Sequence, residues 1–314
     1  MTTITSPHNP RLKELRKLQR RRERDRSGHF LAEGEDLIAA ATAAGRPTLA
    51  GYRAAGAAIG GADFEDVEES VMASLSTLGS GTRAIGVYEQ RFTKPVGPLC
   101  VYLHGVGDPG NVGAVLRSAL AFGASCVALG PDCADPHSPK AVRASMGAIF
   151  AVGLARVSDV GELPGTRVAL VAGGGEPIWT VRGSAGGGVR GNAGGGVRGN
   201  AGGGVRGSAG GGGVQSAQGS APSKRDQSAR DTPAEAMPPA RAGGFASGEQ
   251  QPASLTLLVG AEREGLPNEV VEVCERVAHI PISTESLNAA MAVTVALYEM
   301  TRGGRDNDDR VPAS

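Results

Sequence analysis

Residues 258–292 read LVGAEREGLPNEVVEVCERVAHIPISTESLNAAMA. Two segments around this stretch share one form. The apolar run Leu255–Val259 enters a Gly-bounded turn, GAEREGL at 260–266. IPISTESLN at 280–288 predicts another short strand that enters a polar turn and then a helix. Open α/β sheets bind ligands at the carboxyl ends of their strands, so two pinched loops side by side point to a cofactor pocket. Two ordinary turns of an α/β domain would leave the same trace, and these residues alone leave both readings open.

The flanking chain has the rhythm of a parallel sheet. LCVYLHGV (99–106) is a continuous apolar run, as expected of a strand buried on both faces. The turn DPGN (108–111) leads into a helix over 111–124, NVGAVLRSALAFGA, which Asn111 is able to cap. On it Val115, Ala119 and Phe122 share a face and Arg117 stands about half a turn away, as a surface residue or one facing a site. CVALG (126–130) predicts a strand, and SPKAVRASMGAIF (138–150) opens with Ser-Pro helix-start signals and carries Lys140 and Arg143. RVALVAGG (167–174) predicts a further strand. Alternating strands and helices argue for a parallel sheet with helices on its faces.

The N-terminal part reads as a smaller α/β unit with nothing at catalytic spacing. Residues 9–27, NPRLKELRKLQRRRERDRS, predict a basic amphipathic helix with Leu12, Leu15 and Leu18 on one side. Nine basic residues against three acidic ones leave a local excess of +6 between Arg11 and Arg26. Such a cluster neutralises phosphates; a solvated charged helix is the other reading. FLAEGEDLIAAATAAG (30–45) predicts a strand and an Ala-rich helix, and TLAGYRAA (48–55) a strand. Residues 63–80 predict a helix around Val67, Val71 and Leu75, and TRAIGVYEQ (82–90) a strand. KPVGP (94–98) marks a boundary, giving domains at 1–96 and 97–305 and a disordered tail at 306–314.

Composition narrows the class. The length of 314 residues allows about two domains. Lys+Arg and Asp+Glu are 32 each, so any nucleic-acid affinity must be local. Cys100, Cys126, Cys133 and Cys274 form no CxxC pair and read as reduced thiols. The five histidines have no ligand spacing, so no metal is expected. No apolar run spans a membrane and no signal-peptide core opens the chain, which reads as soluble and cytoplasmic. Residues 183–252 begin with nearly three copies of GNAGGGVR and continue rich in Ser, Ala, Pro and Gln, a composition expected to be a disordered loop. Gly186, Gly188 and Gly191 there match GxGxxG, but a dinucleotide fingerprint needs a strand before it and a helix after it.

NVGAVLR, GAEREGL and SLNAAMA occur in that order at strand ends. Together they resemble the three signature motifs of the SpoU (TrmH-type) RNA ribose methyltransferases of the SPOUT superfamily. The opening ITSPHNPRLKELRKL and FLAEGEDLI are similar to the substrate-binding domain that many members carry. The resemblance implies a small ribosomal-protein-like α/β domain followed by a methyltransferase domain with a trefoil knot, a rare exception to unknotted topology. It implies S-adenosyl-L-methionine as cofactor, held around Gly260, Ile280 and Leu287, a homodimer, and RNA, preferably rRNA, as partner. It assigns the reacting site to Arg117, Asn111, Glu262, Ser286 and Asn288. Arg11, Lys13, Arg16, Lys17, Arg20, Lys140 and Arg143 are the expected RNA contacts. Guanidinium stays protonated, so Arg117 is expected to stabilise developing alkoxide charge and grip a phosphate, with Glu262 holding Arg117 or its loop. Ala261 departs from the Asn of many relatives, and AAMA from their commoner Val-Ser-Val-Ala run. A catalytically silent RNA-binding protein on the same fold is the alternative.

Overall fold

The computed structural model describes residues 3–59, 63–76, 81–181 and 254–302. The Gly-rich insert and the tail expected to be disordered lie outside the described residues. The N-terminal elements are helices α1 (Pro10–Lys17) and α2 (Arg21–Ser27), strand β1 (His29–Glu33), α3 (Glu35–Ala43), β2 (Ala50–Ala54), β3 (Phe64–Val67), α4 (Glu69–Ala73) and β4 (Ala84–Glu89). They form a four-stranded sheet in the order β1-β4-β2-β3, with only β2 and β3 parallel. Leu12 and Leu15 of α1 are buried with Phe64, Val67, Met72 and Ile85, as the leucine spacing requires.

The second part contains β5 (Leu99–Leu103), α5 (Pro109–Ala121), β6 (Cys126–Leu129), α6 (Pro139–Ala144), α7 (Ala148–Ala151), β7 (Gly153–Arg156), β8 (Thr166–Val171), β9 (Glu176–Pro177), β10 (Leu255–Val259), α8 (Asn268–Glu272), β11 (Arg276–His279) and α9 (Ala289–Thr301). Its seven strands run in the order β7-β6-β5-β10-β8-β11-β9, every neighbouring pair parallel. β10 lies between β5 and β8, with Leu257 in register with Val101 and Val168. All five of its residues are buried; four are aliphatic, and the hydroxyl of the fifth, Thr256, donates to the Pro164 carbonyl at 2.7 Å. The carboxyl ends of β10 and β11 therefore flank that of β8, and the two pinched loops come together there.

Four expectations are corrected. The basic helix breaks at Leu18–Arg20 into α1 and α2. The break leaves the carbonyls of Leu18 and Gln19 without helical donors, and the Arg24 guanidinium supplies them at 2.9 and 2.8 Å. Of the helix expected over 63–80 the described residues, 63–76, hold only α4, because Phe64–Val67 pairs in parallel with β2; buried strand pairing overrides local helical spacing. The expected helix over 138–150 is α6 and α7, separated by a turn in which Met146 and Gly147 have φ of 48° and 89°. The strand before IPISTESLN is β11, ending at His279, so Ile280 lies in the loop.

A second group of contacts joins the N-terminal elements to the parallel sheet. Arg24 and Asp135 form a buried ion pair, the Asp135 carboxylate accepting from Nε at 2.9 Å and Nη2 at 2.5 Å. His137, also buried, packs its ring 4.7 Å from that of Phe30 and 5.3 Å from that of Phe92. Burial pushes its pKa from 6.5 down to about 4, Asp135 opposing the shift and Arg156, Arg24 and Arg46 adding to it. The folded state thus binds a proton less readily than the unfolded chain. Its stability is expected to fall as pH drops from about 6.5 to about 4, by ~3 kcal/mol for this group. His137→Phe is expected to remove that slope in urea denaturation measured at each pH.

Candidate active site

The first loop of the site begins where β5 ends. Asp108, not Asn111, caps α5: its carboxylate accepts from the Asn111 backbone N–H at 3.0 Å, with Pro109 at the first helical position. Asn111 therefore sits inside the first turn with its side-chain amide uncommitted to the cap. Lys140 of α6 donates to the other Asp108 oxygen at 2.7 Å and holds that carboxyl below its usual range. The DPGN and SPK segments are thus tied by one side-chain pair, although they stand 32 residues apart.

The second loop is closed by its own backbone. The Gly265 N–H donates to the Ala261 carbonyl at 3.0 Å, and Gly265 takes a φ of 68°. A Cβ on Gly260 would lie 2.0 Å from the Gly265 carbonyl carbon and 2.3 Å from the Leu266 nitrogen. Only glycine lets the two ends of GAEREGL meet. Gly260→Ala is expected to push both strands of the turn apart and cost about 1–3 kcal/mol in chemical denaturation. Ala261 is half-buried, its Cβ 3.4 Å from the position a side chain on Gly105 would take. A small residue fits against the loop after β5.

The third loop ends in a cap that does two jobs. Asn288 Oδ1 accepts from the N–H groups of Ala290 and Met291 at 3.0 and 3.3 Å, starting α9. That leaves its Nδ2 to donate to Asn111 Oδ1 at 3.1 Å. The Asn111 amide is thereby oriented, and its own Nδ2 donates to Glu262 Oε1. Cap, amide and carboxylate form one directed chain, Asn288 to Asn111 to Glu262, linking all three loops. α5 and α9 are further joined by Ser118 and Thr294, whose hydroxyls are 2.7 Å apart.

Behind this chain lies a cavity of about 460 Å³ at the ends of β8, β10 and β11. Gly260, Glu262, Ile280, Ser286 and Leu287 all line it, with Leu170 and Leu266 adding apolar wall. The volume falls in the range of small-molecule sites, about 300–1,000 Å³. Apolar faces with a few polar groups at the rim suit an aromatic base on a ribose.

Arg117 is exposed on α5 and has no hydrogen bond or ion pair with the described residues. Glu262 pairs with Asn111 and not with Arg117. The basic N-terminal set divides. Arg11 pairs with Glu65, and Lys17 with Glu14 at 2.6 Å; Arg16 donates to the Pro7 carbonyl at 2.7 Å. Lys13, Arg20 and Arg22 are exposed and have no such partners among the described residues. Arg24, counted in the basic excess, is consumed inside the protein. Its partner lies 111 residues away, and no local pattern marks such a pair. Lys140 is held by Asp108, while Arg143 is exposed on α6. Among the described residues no His, Cys, Asp and Glu cluster could hold a metal, and no helix is long and apolar enough to cross a membrane.

At the ends of a parallel sheet the loops after β8, β10 and β11 wall a cavity of small-molecule size, which is the place of a ligand site in the α/β class. The SpoU rRNA Methylase family model matches residues 98–166 and 227–298, and an MRM3-like substrate binding domain model matches 9–85. Residues 98–166 and 227–298 thus carry the domain of the SpoU rRNA Methylase family, on both sides of the insert. An uncharacterized tRNA/rRNA methyltransferase of Synechocystis is 32% identical over 166 residues, covering 47% of this chain and 59% of that protein. This chain thus spans about three fifths of the length of that relative. A 23S rRNA (uridine(2479)-2'-O)-methyltransferase of Streptomyces viridochromogenes is 41% identical over 56 residues, 18% of this chain and 20% of that one. In fold, the chain is similar to the AdoMet-bound rRNA methyltransferase from Sinorhizobium meliloti, with a TM-score of 0.67 and 24% identity. That match covers 96% of this chain and 98% of the other.

Proposed function

We propose that this protein transfers a methyl group from S-adenosylmethionine to a ribose 2′-hydroxyl of RNA, with rRNA preferred over tRNA. The observation that carries the reading is the hydrogen-bonded chain from Asn288 through Asn111 to Glu262, which ties all three motif loops together and ends on a residue that lines the cavity. The residues present fit the cofactor. The apolar faces of Leu170, Leu266, Ile280 and Leu287 suit an adenine, and the backbone around Gly260 and Leu287 offers polar partners for a ribose. When bound, the sulfonium supplies an electrophilic methyl group and a neutral leaving group, so no metal is needed.

This chain's residues then align and polarise. Displacement needs oxygen, methyl and sulfur nearly in line. Glu262 and Asn288 fix the Asn111 amide from both sides, so its geometry is set before substrate arrives. Arg117, without a partner among the described residues, grips the phosphate next to the target ribose and stabilises charge developing on the 2′-oxygen. Ser286 stands at the cavity rim as a further polar contact. Lys13, Arg20 and Arg22 are the phosphate contacts of the N-terminal elements, joined by Arg143 near the site.

The active form in this proposal is a homodimer. α9 exposes Met291, Val295 and Tyr298 at helical spacing, and the ring of Phe122, at the end of α5, lies 6.3 Å from that of Tyr298. A second copy covering this face would bring its own loops to the exposed Arg117. The trefoil knot and a cytoplasmic location belong to the same proposal, the latter supported by four free cysteines. The test is transfer of labelled methyl to unmodified rRNA and, separately, to tRNA. Labelling of rRNA supports the proposal. RNA binding without either cofactor binding or labelling would favour a silent RNA-binding protein.

A further inference from the structure

The turn between α6 and α7 has a conformation its residue does not favour. Met146 takes a φ of 48°, and outside glycine only Asp132 shares a positive φ among the described residues. The left-handed region costs an ordinary L-residue roughly 1–2 kcal/mol, and such strain persists only where the surroundings impose it. Here they do. On one side α5 lies so close that a Cβ on Gly113 would come within 2.3 Å of the Ala141 carbonyl oxygen and 3.0 Å of the Ser145 nitrogen. On the other, a Cβ on Gly147 would come within 2.5 Å of the Ala40 Cβ in α3. Ser145 is fully buried and its hydroxyl donates to the Val142 carbonyl at 2.7 Å. The Met146 N–H donates to the Arg143 carbonyl at 3.1 Å.

The result is a large apolar side chain held outward. Met146 is 56% exposed on a turn clamped between two helices, where a glycine or asparagine would sit with less strain. Its location supplies a reason. Successive residues on a helix are about 100° apart, so Arg117 stands only about 40° around α5 from Gly113 and one turn further along. Helical side chains lean toward the N-terminus, which carries Arg117 back over the Gly113 turn and toward Ser145–Gly147. The other flank of Arg117 is the α9 side, marked by the Ser118–Thr294 contact. The thioether thus borders the surface where Arg117 meets solvent, with exposed Arg143 on the preceding turn.

We propose that Met146 is an apolar wedge that packs against an unpaired base of the RNA substrate next to the target ribose. A 2′-hydroxyl in a stacked helix is held by its neighbours, and an enzyme acting on it gains from splayed, unstacked nucleotides. Proteins that splay bases insert apolar residues, methionine among them, while basic side chains hold the phosphates. Met146 supplies the first element and Arg117 the second. A rigid backbone is an advantage in a wedge, because it does not yield when the base stacks against it.

The inference rests on the RNA methyl-transfer reading, and the test separates the two. A single-stranded RNA carrying one 2-aminopurine is titrated with the wild type, Met146→Gly and Met146→Leu, and KM for rRNA is measured in methyl transfer. Met146→Gly relieves the backbone and is expected to keep or raise thermal stability and leave S-adenosylmethionine affinity unchanged. It is expected to abolish the change in 2-aminopurine fluorescence and raise KM for RNA about tenfold, in line with base-stacking contributions. Met146→Leu keeps most of both signals. Equal KM and equal fluorescence for wild type and Met146→Gly would overturn the wedge while leaving methyl transfer intact. If the wild type methylates nothing, the fluorescence change still decides: its presence in wild type and loss in Met146→Gly supports the wedge, its absence in wild type overturns it. Weakened self-association of Met146→Gly with fluorescence retained would also overturn it, marking the turn as a contact between copies.

Discussion

Arg117→Ala is expected to lower methyl transfer to RNA about 10²–10³-fold while leaving the fold and S-adenosylmethionine affinity unchanged. The size follows from removing one preorganised donor that meets charge developing at an oxygen, worth about 2.7–4 kcal/mol. The selectivity follows from the structure: the side chain is exposed, has no partner among the described residues and does not line the cavity. Arg117→Lys keeps the charge and loses the planar fork. It is expected to recover little of kcat, because a compact ammonium lacks the rigid fork that spans a phosphate oxygen and a 2′-oxygen in fixed geometry. The two variants are compared by kcat and by KM for each substrate. Full activity of Arg117→Lys would mean that charge alone is needed. A loss confined to KM for RNA would reduce Arg117 to a phosphate contact.

Asp135→Ala is expected to destabilise the protein by about 3–5 kcal/mol, because it strands a buried guanidinium. Arg24 is 3% and Asp135 6% exposed, and Arg24 also closes the α1–α2 break through the carbonyls of Leu18 and Gln19. Loss of the carboxylate leaves Arg24 with those carbonyls alone. Arg24→Met with Asp135→Leu removes both charges and is expected to cost less than either single change, since paired buried charges exchange for apolar groups at little cost. Urea denaturation of the two singles and the double gives the coupling directly. A loss below about 1 kcal/mol for Asp135→Ala would mean that water reaches the pair.

What the sequence made legible was whatever has a local cause. The runs at 99–103 and 255–259 are strands because burial on both faces favours nearly continuous hydrophobicity. The leucines of α1 are buried where their spacing put them. The two pinched loops do wall one cavity, since Gly260 and Leu287 both line it. What stayed hidden depends on distant residues. Asp108 took the cap expected of Asn111, and that exchange is what frees Asn111 to join Glu262 and Asn288. The basic run looked like one helix because charge does not reveal that Arg24 turns inward to an aspartate beyond β6. Phe64–Val67 became a strand because β2 offered an edge, which no window of helical spacing can register.

The most direct test of the account is the chemical position of the transferred methyl. RNA methylated by the protein with labelled S-adenosylmethionine is digested with alkali and then with nuclease. Label recovered in alkali-resistant dinucleotides and then as a 2′-O-methyl nucleoside, and lost with Arg117→Ala, is the predicted result. Label on a base, with alkali cleaving next to it as usual, is the contradicting result, because the roles of Asn111, Glu262 and Arg117 in the proposed reaction are those of a site for a ribose hydroxyl.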